Sequence, residues 1–485
     1  MNKGILLILD GYGEGKADKY NAVKNADTPT LNDLRKLPHA LLKTHGESVG
    51  LFADEMGNSE VGHTTIGAGR VIKSTIKQIN DDIESGVFRK NKILNKALDN
   101  LKNKKSDLHL IGLMSDKNIH SNIYHALEII DMAKEKAQHI YIHFITDGRD
   151  CGIRDSIKYL EILKKHIKNI KNCAILSVSG RFYAMDRENY LDRTFDAFNA
   201  MFLTTEGVVD AEEYIVSQHK QGVDDQYIKP VHIESDFKKV CKDDLILYFN
   251  FREDRLRQIV KKSEELGAKI VTMAEVGNTH STPLYTSPVV KNTLSEYLSS
   301  KGLKQIKISE TTKYAHLTYF LNGGEEKPFR NEERVHIETI ETDDYAKTPC
   351  MRAKEITTET IKAIDKDYDM IFVNFSNPDM IGHTGNYEAT VEALECVDEC
   401  VEKILAKAEE KDYFVLVTAD HGNSEQMKTK NGEPHTAHTI NPVMCVIAGG
   451  GYKMKKSADL TSIAPTIIDL LGLEKNKYFE GESLI

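Results

Sequence analysis

The sequence of 485 residues has no tryptophan, 11 prolines and no Cys-x-x-Cys motif. Its seven cysteines are odd in number, so we expect reduced thiols in a cytoplasmic protein. Cys396 and Cys400 are one helical turn apart, which predicts a shared packing face. The apolar run from Ile5 to Leu9 stops at Asp10 and is too short for a signal-peptide core or a membrane span.

An excess of positive charge is also absent, because 64 Lys and Arg residues face 74 Asp and Glu residues. The formal net charge of −10 provides no electrostatic footprint for nucleic acid or for an anionic membrane. We therefore expect neither partner, and an anionic substrate must be bound by a local basic cluster. The length predicts about three domains, or two large ones.

Two common catalytic motifs are missing. The sequence has no P-loop Gly-Lys-Ser/Thr and no His-Glu-x-x-His, so nucleotide-driven phosphoryl transfer and zinc-protease chemistry are poorly supported. The five-residue match to Gly-x-Ser-x-Gly at 46–50, GESVG, is by itself weak support for hydrolase-type Ser-His-Asp chemistry.

Short apolar, β-branched runs alternate with amphipathic helical patterns along the chain. The runs cover residues 4–10, 107–115, 139–146, 173–180, 244–251, 269–276, 369–376, 413–420 and 441–449. This alternation predicts an α/β protein whose sheets are mostly parallel and covered on both faces. The stretch 281–291 is the best linker candidate, with a weaker one near Ser74.

Four segments at predicted strand ends carry carboxylates and imidazoles. They are Asp10; Asp379 with His383; Asp420 with His421; and His435 with His438. These donors suit Mn, Zn or Fe better than soft thiolate-binding metals. Each segment alone has an ordinary alternative as a surface pair, a turn or a loop cap. Because ligands in open α/β sheets bind where the carboxyl ends of strands converge, the segments together suggest a site for two metal ions.

The segment 57–69, GNSEVGHTTIGAG, presents Ser59 among small residues. A serine in such a loop is a candidate nucleophile for phosphoryl transfer, because nearby backbone amides can receive an oxyanion. The alternative is a helix-capping box, but the third residue after Ser59 is Gly62 and not Glu or Gln.

Arginines follow three further predicted strands. They are Arg149 beside Asp150, Arg181, Arg187, Arg252 and Arg255. Guanidinium groups bind carboxylates and phosphates in a bidentate manner, so this set favours a small polyanionic ligand. Solvated surface arginines are the alternative.

A series of long motifs resembles the cofactor-independent (2,3-bisphosphoglycerate-independent) phosphoglycerate mutases of the alkaline phosphatase superfamily. In chain order they are LDGYG, MGNSEVGHTTIGAGR, DGRD, GRFYAMDR, FNFREDR, SETTKYAHLTYFLNGG, NFSNPDMIGHTG, TADHGN and HTAHTINPV. The metal segments alone resemble the whole superfamily, whereas the arginine loops and the KYAH segment resemble the mutase.

The resemblance implies a role for each matching position. Ser59 becomes the phosphorylated nucleophile, and two divalent cations, expected to be Mn²⁺, occupy the metal sites. One ion would be bound by Asp10, Ser59, Asp420 and His421, and the other by Asp379, His383 and His438, with His435 outside the ligand set. The implied substrate-binding residues are His120, Arg149, Asp150, Arg181, Arg187, Arg252, Arg255 and Lys313. Asp150 and Lys313 are also catalytic, as proton carrier and as charge stabiliser.

The resemblance also implies two domains. A phosphatase-like metal domain would combine residues 1–73 and 289–485, and a transferase domain that binds the substrate would be inserted as residues 74–288. We expect a monomer. The loop 117–122, KNIHSN, retains one His but lacks two glycines and a second His of the family pattern, and residues 151–153 read CGI instead of Thr-Pro-Pro. The Trp that often follows the AMDR motif is absent too.

The expected activity is the interconversion of 3-phosphoglycerate and 2-phosphoglycerate, an isomerase reaction of glycolysis and gluconeogenesis. A phosphomonoester hydrolase or a phosphopentomutase of the same superfamily is the first alternative. A catalytically silent phosphate-binding protein is the second.

Overall fold

The computed structural model describes residues 2–204, 207–208, 210–233, 239–286, 289–449 and 451–485. It divides into two compact units, Met1–Ser74 with Pro288–Ile485, and Thr75–Ser287. Each unit is a mixed α/β structure built on one sheet, as the alternating pattern predicts. No helix in the described ranges is long and apolar enough to cross a membrane.

The strands of the described residues are numbered in chain order: β1 Lys3–Leu9, β2 His39–Lys43, β3 Leu108–Leu113, β4 Ile140–Thr146, β5 Cys173–Gly180, β6 Val231–His232, β7 Leu245–Tyr248, β8 Lys269–Ala274, β9 Thr282–Tyr285, β10 Gln305–Glu310, β11 Glu332–Ile337, β12 Met370–Phe375, β13 Tyr413–Thr418, β14 Val443–Ala448 and β15 Ser457–Asp459.

The α-helices are α1 Ala22–Asn25, α2 Pro29–Lys36, α3 Ser59–Ala68, α4 Thr75–Glu84, α5 Lys92–Lys104, α6 Ile123–Ala133, α7 Ser156–Ile167, α8 Arg181–Ala184, α9 Leu191–Phe202, α10 Ala211–Lys220, α11 Arg257–Ser263, α12 Leu294–Ser300, α13 Thr311–Ala315, α14 Ala353–Asp365, α15 Asn377–Gly382, α16 Tyr387–Glu410 and α17 Ile463–Leu470. A π-helical turn, His316–Phe320, continues α13.

The unit made from both chain ends has the strand order β11-β10-β12-β1-β13-β14-β2-β15. Strand β14 is antiparallel to its two neighbours, and the other pairs are parallel. Strand β1 lies between β12 and β13 and is buried from Gly4 to Leu9. A strand that is buried on both faces is apolar without alternation, which explains the continuous run at the start of the sequence.

The unit Thr75–Ser287 has the strand order β6-β5-β4-β3-β7-β8-β9. Only the pairing of β6 with β5 is antiparallel among the described strands. All seven residues of β4 are buried. At the end of the helical stretch that begins near Asp254, Gly267 adopts φ +69°, a left-handed conformation that glycine adopts without steric cost.

Every apolar run used to predict a strand contains one. The prediction missed strands such as β10 (QIKISE) and β11 (EERVHI), whose polar residues obscure the apolar signal. The linker candidate 281–291 was wrong in part, because Thr282–Tyr285 pairs with β8 as an edge strand. Residues 287 and 288 of that stretch lie outside the described residues.

The expectation that all cysteines are reduced was wrong for one pair. Cys350 and Cys396 form a disulfide, with their Cα atoms 5.7 Å apart. They come from the segment before α14 and from the middle of α16, a pairing that the sequence spacing does not reveal. Cys400 is free and buried on α16, in agreement with the predicted packing face.

Candidate active site

The carboxyl ends of three neighbouring strands position the carboxylates of the site. Asp10 directly follows β1, and Asp420 lies just beyond the end of β13. Asp379 is in the first turn of α15, the short helix that follows β12. Because β12, β1 and β13 are adjacent and parallel, these three side chains meet at one edge of the sheet.

Helix α3 brings Ser59 to the same edge. Its N-cap is Asn58, whose side chain accepts a hydrogen bond from the Val61 amide, so Ser59 is the first helical residue. A Cβ atom on Gly62 would lie 2.9 Å from the Cβ of Asp420. Glycine at this position therefore lets α3 approach the end of β13, and Asn58 replaces the capping box that Ser59 does not form.

The Ser59 hydroxyl lies among reactive groups. Its Oγ is 3.0 Å from Nε2 of His421 and 3.3 Å from Oδ1 of Asp10. The Lys313 ammonium donates a hydrogen bond to the same Oγ at 2.7 Å. A hydroxyl with a cation on one side and acceptors on the other is well placed to act as a nucleophile.

Two groups of side chains have the spacing of metal ligands. One consists of Asp10, Asp420 and His421, and the other of Asp379, His383 and His438. Within each group the possible ligand atoms all lie within 4.8 Å of one another. His435, which the resemblance leaves outside the ligand set, belongs to neither of these groups of described residues.

In the second group, both imidazoles present the same nitrogen to the carboxylate. Nε2 of His383 and Nε2 of His438 each lie 3.2 Å from Oδ1 of Asp379. Their Nδ1 atoms lie 2.8 Å from the carbonyl oxygens of Thr436 and Gly57, respectively. Because a carbonyl accepts only from a protonated Nδ1, Nε2 of each neutral ring is left as the lone-pair donor for a metal.

The charges of the site also fit divalent cations. Three buried carboxylates, Asp10, Asp379 and Asp420, surround one ammonium, Lys313. Burial raises the pKa of Asp10, and the neighbouring Asp420 raises it further. Burial alone lowers the pKa of Lys313, but Asp10 and Asp379 outweigh it and raise this pKa above its usual range. The excess of buried negative charge is what bound divalent cations neutralise.

Lys313 connects the two groups of ligands. Its Nζ lies 2.7 Å from Oδ1 of Asp10 and 2.6 Å from Oδ2 of Asp379. It is on α13, directly before the π-helical turn, and such turns are frequent at functional sites. The implied substrate-binding set includes Lys313, and the structure places it beside Ser59.

The other unit contains the arginine cluster. Arg181 is buried and contacts the carboxylates of Asp147, at 2.6 Å, and Asp150. Nε2 of His120 lies 3.5 Å from the same Asp150 oxygen. Burial lowers the pKa of His120 to about 4, and the positive charge of Arg181 contributes to the shift. His120 is therefore neutral at physiological pH.

The remaining arginines are more exposed. Arg187 and Arg252 bind opposite oxygens of Asp254, at 2.8 Å and 3.0 Å. Nη1 of Arg255 donates to the Met185 carbonyl, and burial together with neighbouring arginines lowers its pKa. A cavity of about 150 Å³ is lined by Arg149, Arg181, Phe182, Asp186, Glu188, Arg193, Gln226, Tyr227 and Arg255. This concentration of guanidinium groups suits a small anion.

Sequence reasoning missed the carboxylates that orient these arginines, Asp147 and Asp254. Both are adjacent to or within motifs that carry the arginines, DGRD and FNFREDR, which was the available signal. It also missed His63 and Asn374, which contact the ligands around Ser59. His63 is one helical turn after Ser59, and Asn374 is the only polar residue in the buried strand β12.

The chain is similar to known proteins over nearly its whole length. The Metalloenzyme superfamily profile matches residues 2–475. A 2,3-bisphosphoglycerate-independent phosphoglycerate mutase of Clostridium kluyveri is 42% identical, covering 99% of both chains. The protein of that name from Listeria innocua is 39% identical over 99% of this chain and 98% of its own.

A solved structure is also similar. It is the Leishmania mexicana phosphoglycerate mutase at low cobalt concentration, with a TM-score of 0.67 and 30% sequence identity. The alignment covers 100% of this chain and 97% of that one. Since both the profile and the relatives span nearly the whole sequence, the chain belongs to the 2,3-bisphosphoglycerate-independent phosphoglycerate mutases, within the Metalloenzyme superfamily.

Proposed function

We propose that the protein interconverts 3-phosphoglycerate and 2-phosphoglycerate through a phosphoserine at Ser59. The observation that carries this proposal is the position of the Ser59 hydroxyl, which lies between His421 and Lys313 beside Asp10. The names of the full-length relatives support the same substrates.

The two groups of donors fit two divalent cations, which we propose to be Mn²⁺. Asp10, Ser59, Asp420 and His421 would hold one, and Asp379, His383 and His438 the other. Carboxylate oxygens and imidazole nitrogens are donors that Mn²⁺ accepts. When bound, such ions stabilise the negative charge on a transferring phosphoryl group.

The protein's own residues carry the transfer. The Ser59 hydroxyl gives up its proton as its oxygen forms a bond to phosphorus. The bond between phosphorus and the 3-oxygen of the substrate breaks and that oxygen gains a proton, which leaves phosphoserine and glycerate. Lys313, 2.7 Å from that oxygen, stabilises the equatorial phosphoryl oxygens. In the second step the 2-hydroxyl of glycerate attacks the phosphoserine, and Ser59 is regenerated.

Glycerate must be retained between the two steps. We assign its carboxylate to the arginine cluster, whose guanidinium groups bind such an anion. We assign the proton transfers at glycerate to Asp150, which is held by Arg181 and lies 3.5 Å from His120. The departing 3-oxygen gains a proton in the first step, and the Asp150 carboxylate takes one from the attacking 2-hydroxyl in the second. Exclusion of water during this interval prevents hydrolysis of the phosphoserine.

The test is an assay of the purified protein with 3-phosphoglycerate and Mn²⁺. An enolase-coupled readout reports 2-phosphoglycerate, free phosphate is measured in parallel, and mass spectrometry locates phosphate on Ser59. We expect 2-phosphoglycerate with little free phosphate. The Ser59→Ala variant should lose well over a hundredfold of turnover, because a nucleophile has no substitute in a two-step transfer.

Thr64→Ala is the matched control, since the Thr64 hydroxyl donates only to the Glu60 carbonyl of the same helix among the described contacts. Its activity should remain that of the wild type. Phosphate release without 2-phosphoglycerate would identify a hydrolase instead. Absence of both products and of phosphoserine, together with binding of 3-phosphoglycerate in a titration, would identify a phosphate-binding protein without catalysis.

A further inference from the structure

Two fully buried polar residues, His63 and Asn374, contact carboxylates of the Asp10, Asp420 and His421 group. His63 is on α3, one turn after Ser59, and Asn374 is on β12. Both have no exposed surface, and neither is assigned a role in the proposed reaction. A buried polar side chain is costly unless it has hydrogen-bond partners, so the partners of these two residues are informative.

The contacts of His63 determine which ring nitrogen carries the hydrogen. Nδ1 lies 2.9 Å from the Ser59 carbonyl oxygen and 3.2 Å from Oδ2 of Asp420. Both neighbours are acceptors, so Nδ1 is the protonated nitrogen of the ring. Nε2 is then an acceptor, and it lies 3.1 Å from Nδ2 of Asn374.

The amide of Asn374 completes the chain of contacts. Its Nδ2 has two hydrogens, one for Nε2 of His63 and one for Oδ2 of Asp10, at 2.8 Å. The opposite orientation of this amide would place its oxygen against the Asp10 carboxylate and against an imidazole acceptor. Every donor from Asp420 through His63 and Asn374 to Asp10 therefore faces an acceptor.

This chain of contacts begins and ends on two carboxylates of the same proposed metal site. Oδ2 of Asp10 accepts a hydrogen bond from Asn374, while Oδ1 of Asp10 faces Ser59 and Lys313. In the described contacts, neither His63 nor Asn374 bonds to Asp379, His383 or His438. The described contacts of His63 and Asn374 therefore involve carboxylates of one proposed metal site and none of the other.

We propose that His63 and Asn374 are positioning residues that fix the Asp10 and Asp420 carboxylates for one divalent cation, an inference that rests on the proposed metal-dependent mutase function. Groups that hydrogen-bond to metal ligands orient them, and their loss typically costs about 10- to 100-fold in metal affinity. His63→Phe and Asn374→Leu should therefore weaken Mn²⁺ binding at this site by about that factor and leave the other site unchanged.

The experiment measures Mn²⁺ binding by titration calorimetry, with metal content after dialysis against buffered Mn²⁺ as a second readout. Each variant is prepared in two backgrounds. In the Asp379→Asn background the Asp379 site is disabled, so binding at the Asp10 site is observed alone. In the Asp10→Asn background the Asp10 site is disabled, so binding at the Asp379 site is observed alone. Thr65→Val is the control. Thr65 is buried on α3, its hydroxyl donates to the Val61 carbonyl, and valine has nearly the same shape.

A graded variant separates positioning from simple loss of structure. In His63→Asn, the amide nitrogen is as many bonds from Cα as Nδ1 is, so it can still donate to Asp420 but cannot reach Asn374. We expect its Mn²⁺ affinity to fall less than that of His63→Phe. Retained binding at the second site shows that the unit is folded in each variant.

The outcomes are distinguishable. Unchanged affinity at the Asp10 site in His63→Phe, or equal losses at both sites, would overturn the positioning role while leaving the proposed function intact. A wild-type protein that binds no Mn²⁺ at the Asp10 site would contradict both proposals. A selective loss at the Asp10 site, graded from Asn to Phe, supports the inference.

Discussion

The Nζ atom of Lys313 lies 2.7 Å from the Oγ atom of Ser59, although 254 residues separate them in the chain. The same ammonium contacts Asp10 of one proposed metal site and Asp379 of the other. A fixed positive charge at this point needs no reorganisation when negative charge develops on a phosphoryl group bound to Ser59.

Replacement of Lys313 by methionine should lower kcat/KM by about 100-fold or more, which is the usual cost of removing one group that stabilises transition-state charge. The phosphorylation of Ser59 should be slowed as well. Rapid-quench measurement of phosphoserine formation, together with steady-state assays, checks both effects.

Lys307→Met is the matched control for this experiment. Lys307 is also buried and lies in β10, the strand that precedes the helix of Lys313. It contacts Asn322 and Glu332 instead of Ser59, and burial lowers its pKa to about 7. Its replacement should leave phosphoserine formation unchanged. Equal rates of phosphoserine formation in wild type and Lys313→Met would remove Lys313 from the proposed chemistry.

Replacement of both Arg252 and Arg255 by alanine should weaken the retention of glycerate more than the formation of phosphoserine. Charge-assisted hydrogen bonds are worth about 1.5 to 3 kcal/mol each, so the loss of several lets glycerate dissociate before the second step. The ratio of free phosphate to 2-phosphoglycerate should rise, measured at saturating 3-phosphoglycerate and Mn²⁺. Arg257→Ala, which removes an exposed partner of Glu253, is the control. A parallel fall of both products would show that these arginines act only in general binding.

Metal binding should weaken on mild acidification. Hydrogen bonding to Asp379 raises the pKa of His383, and Asp379 likewise outweighs burial to raise the pKa of His438. Raised pKa values mean that the metal-free rings hold protons to higher pH, so protons compete with the cation as pH falls. We expect affinity to drop up to about tenfold per pH unit for each proton displaced, between about pH 8 and pH 6. Metal content after dialysis tests this, and constant content with loss of activity would exclude metal release as the cause.

The stability of the unit Thr75–Ser287 should fall in acid for a separate reason. Burial lowers the pKa of His109 and of His125 to about 3, and that of His143 well below its usual value. Between these values and about 6.5 the unfolded chain binds protons that the folded unit does not, so stability decreases as pH falls through this range.

The variant His143→Gln should reduce the pH dependence of the unfolding free energy by up to about 1.4 kcal/mol per pH unit. Urea unfolding at several pH values between 5 and 6.5 measures the slope of the unfolding free energy against pH. His280→Gln, at an exposed position of the same unit, should retain the wild-type slope. Identical slopes for the two variants would show that the buried ring does not remain neutral.

The sequence alone determined the α/β class, the apolar strands and the candidate ligands at their ends. A strand that is buried on both faces must be apolar throughout, so β1, β12 and β13 are visible locally. Asp10, Asp379 and Asp420 follow these strands or lie in the turn beyond them, and parallel strands bring their carboxyl ends together. The small residues of segment 57–69 made Ser59 a candidate nucleophile, and motif resemblance implied that it is the phosphorylated residue.

Only the tertiary structure decided which groups act on one another. The order β10-β12-β1-β13 brings Lys313 to Ser59, and the disulfide between Cys350 and Cys396 joins α16 to the segment before α14. The orientation of Asn374 depends on two acceptors, Oδ2 of Asp10 and Nε2 of His63, which come from segments far from it in the chain. Local sequence patterns encode which face of an element is buried, but hydrogen-bond partners are selected by long-range packing, and no local pattern records them.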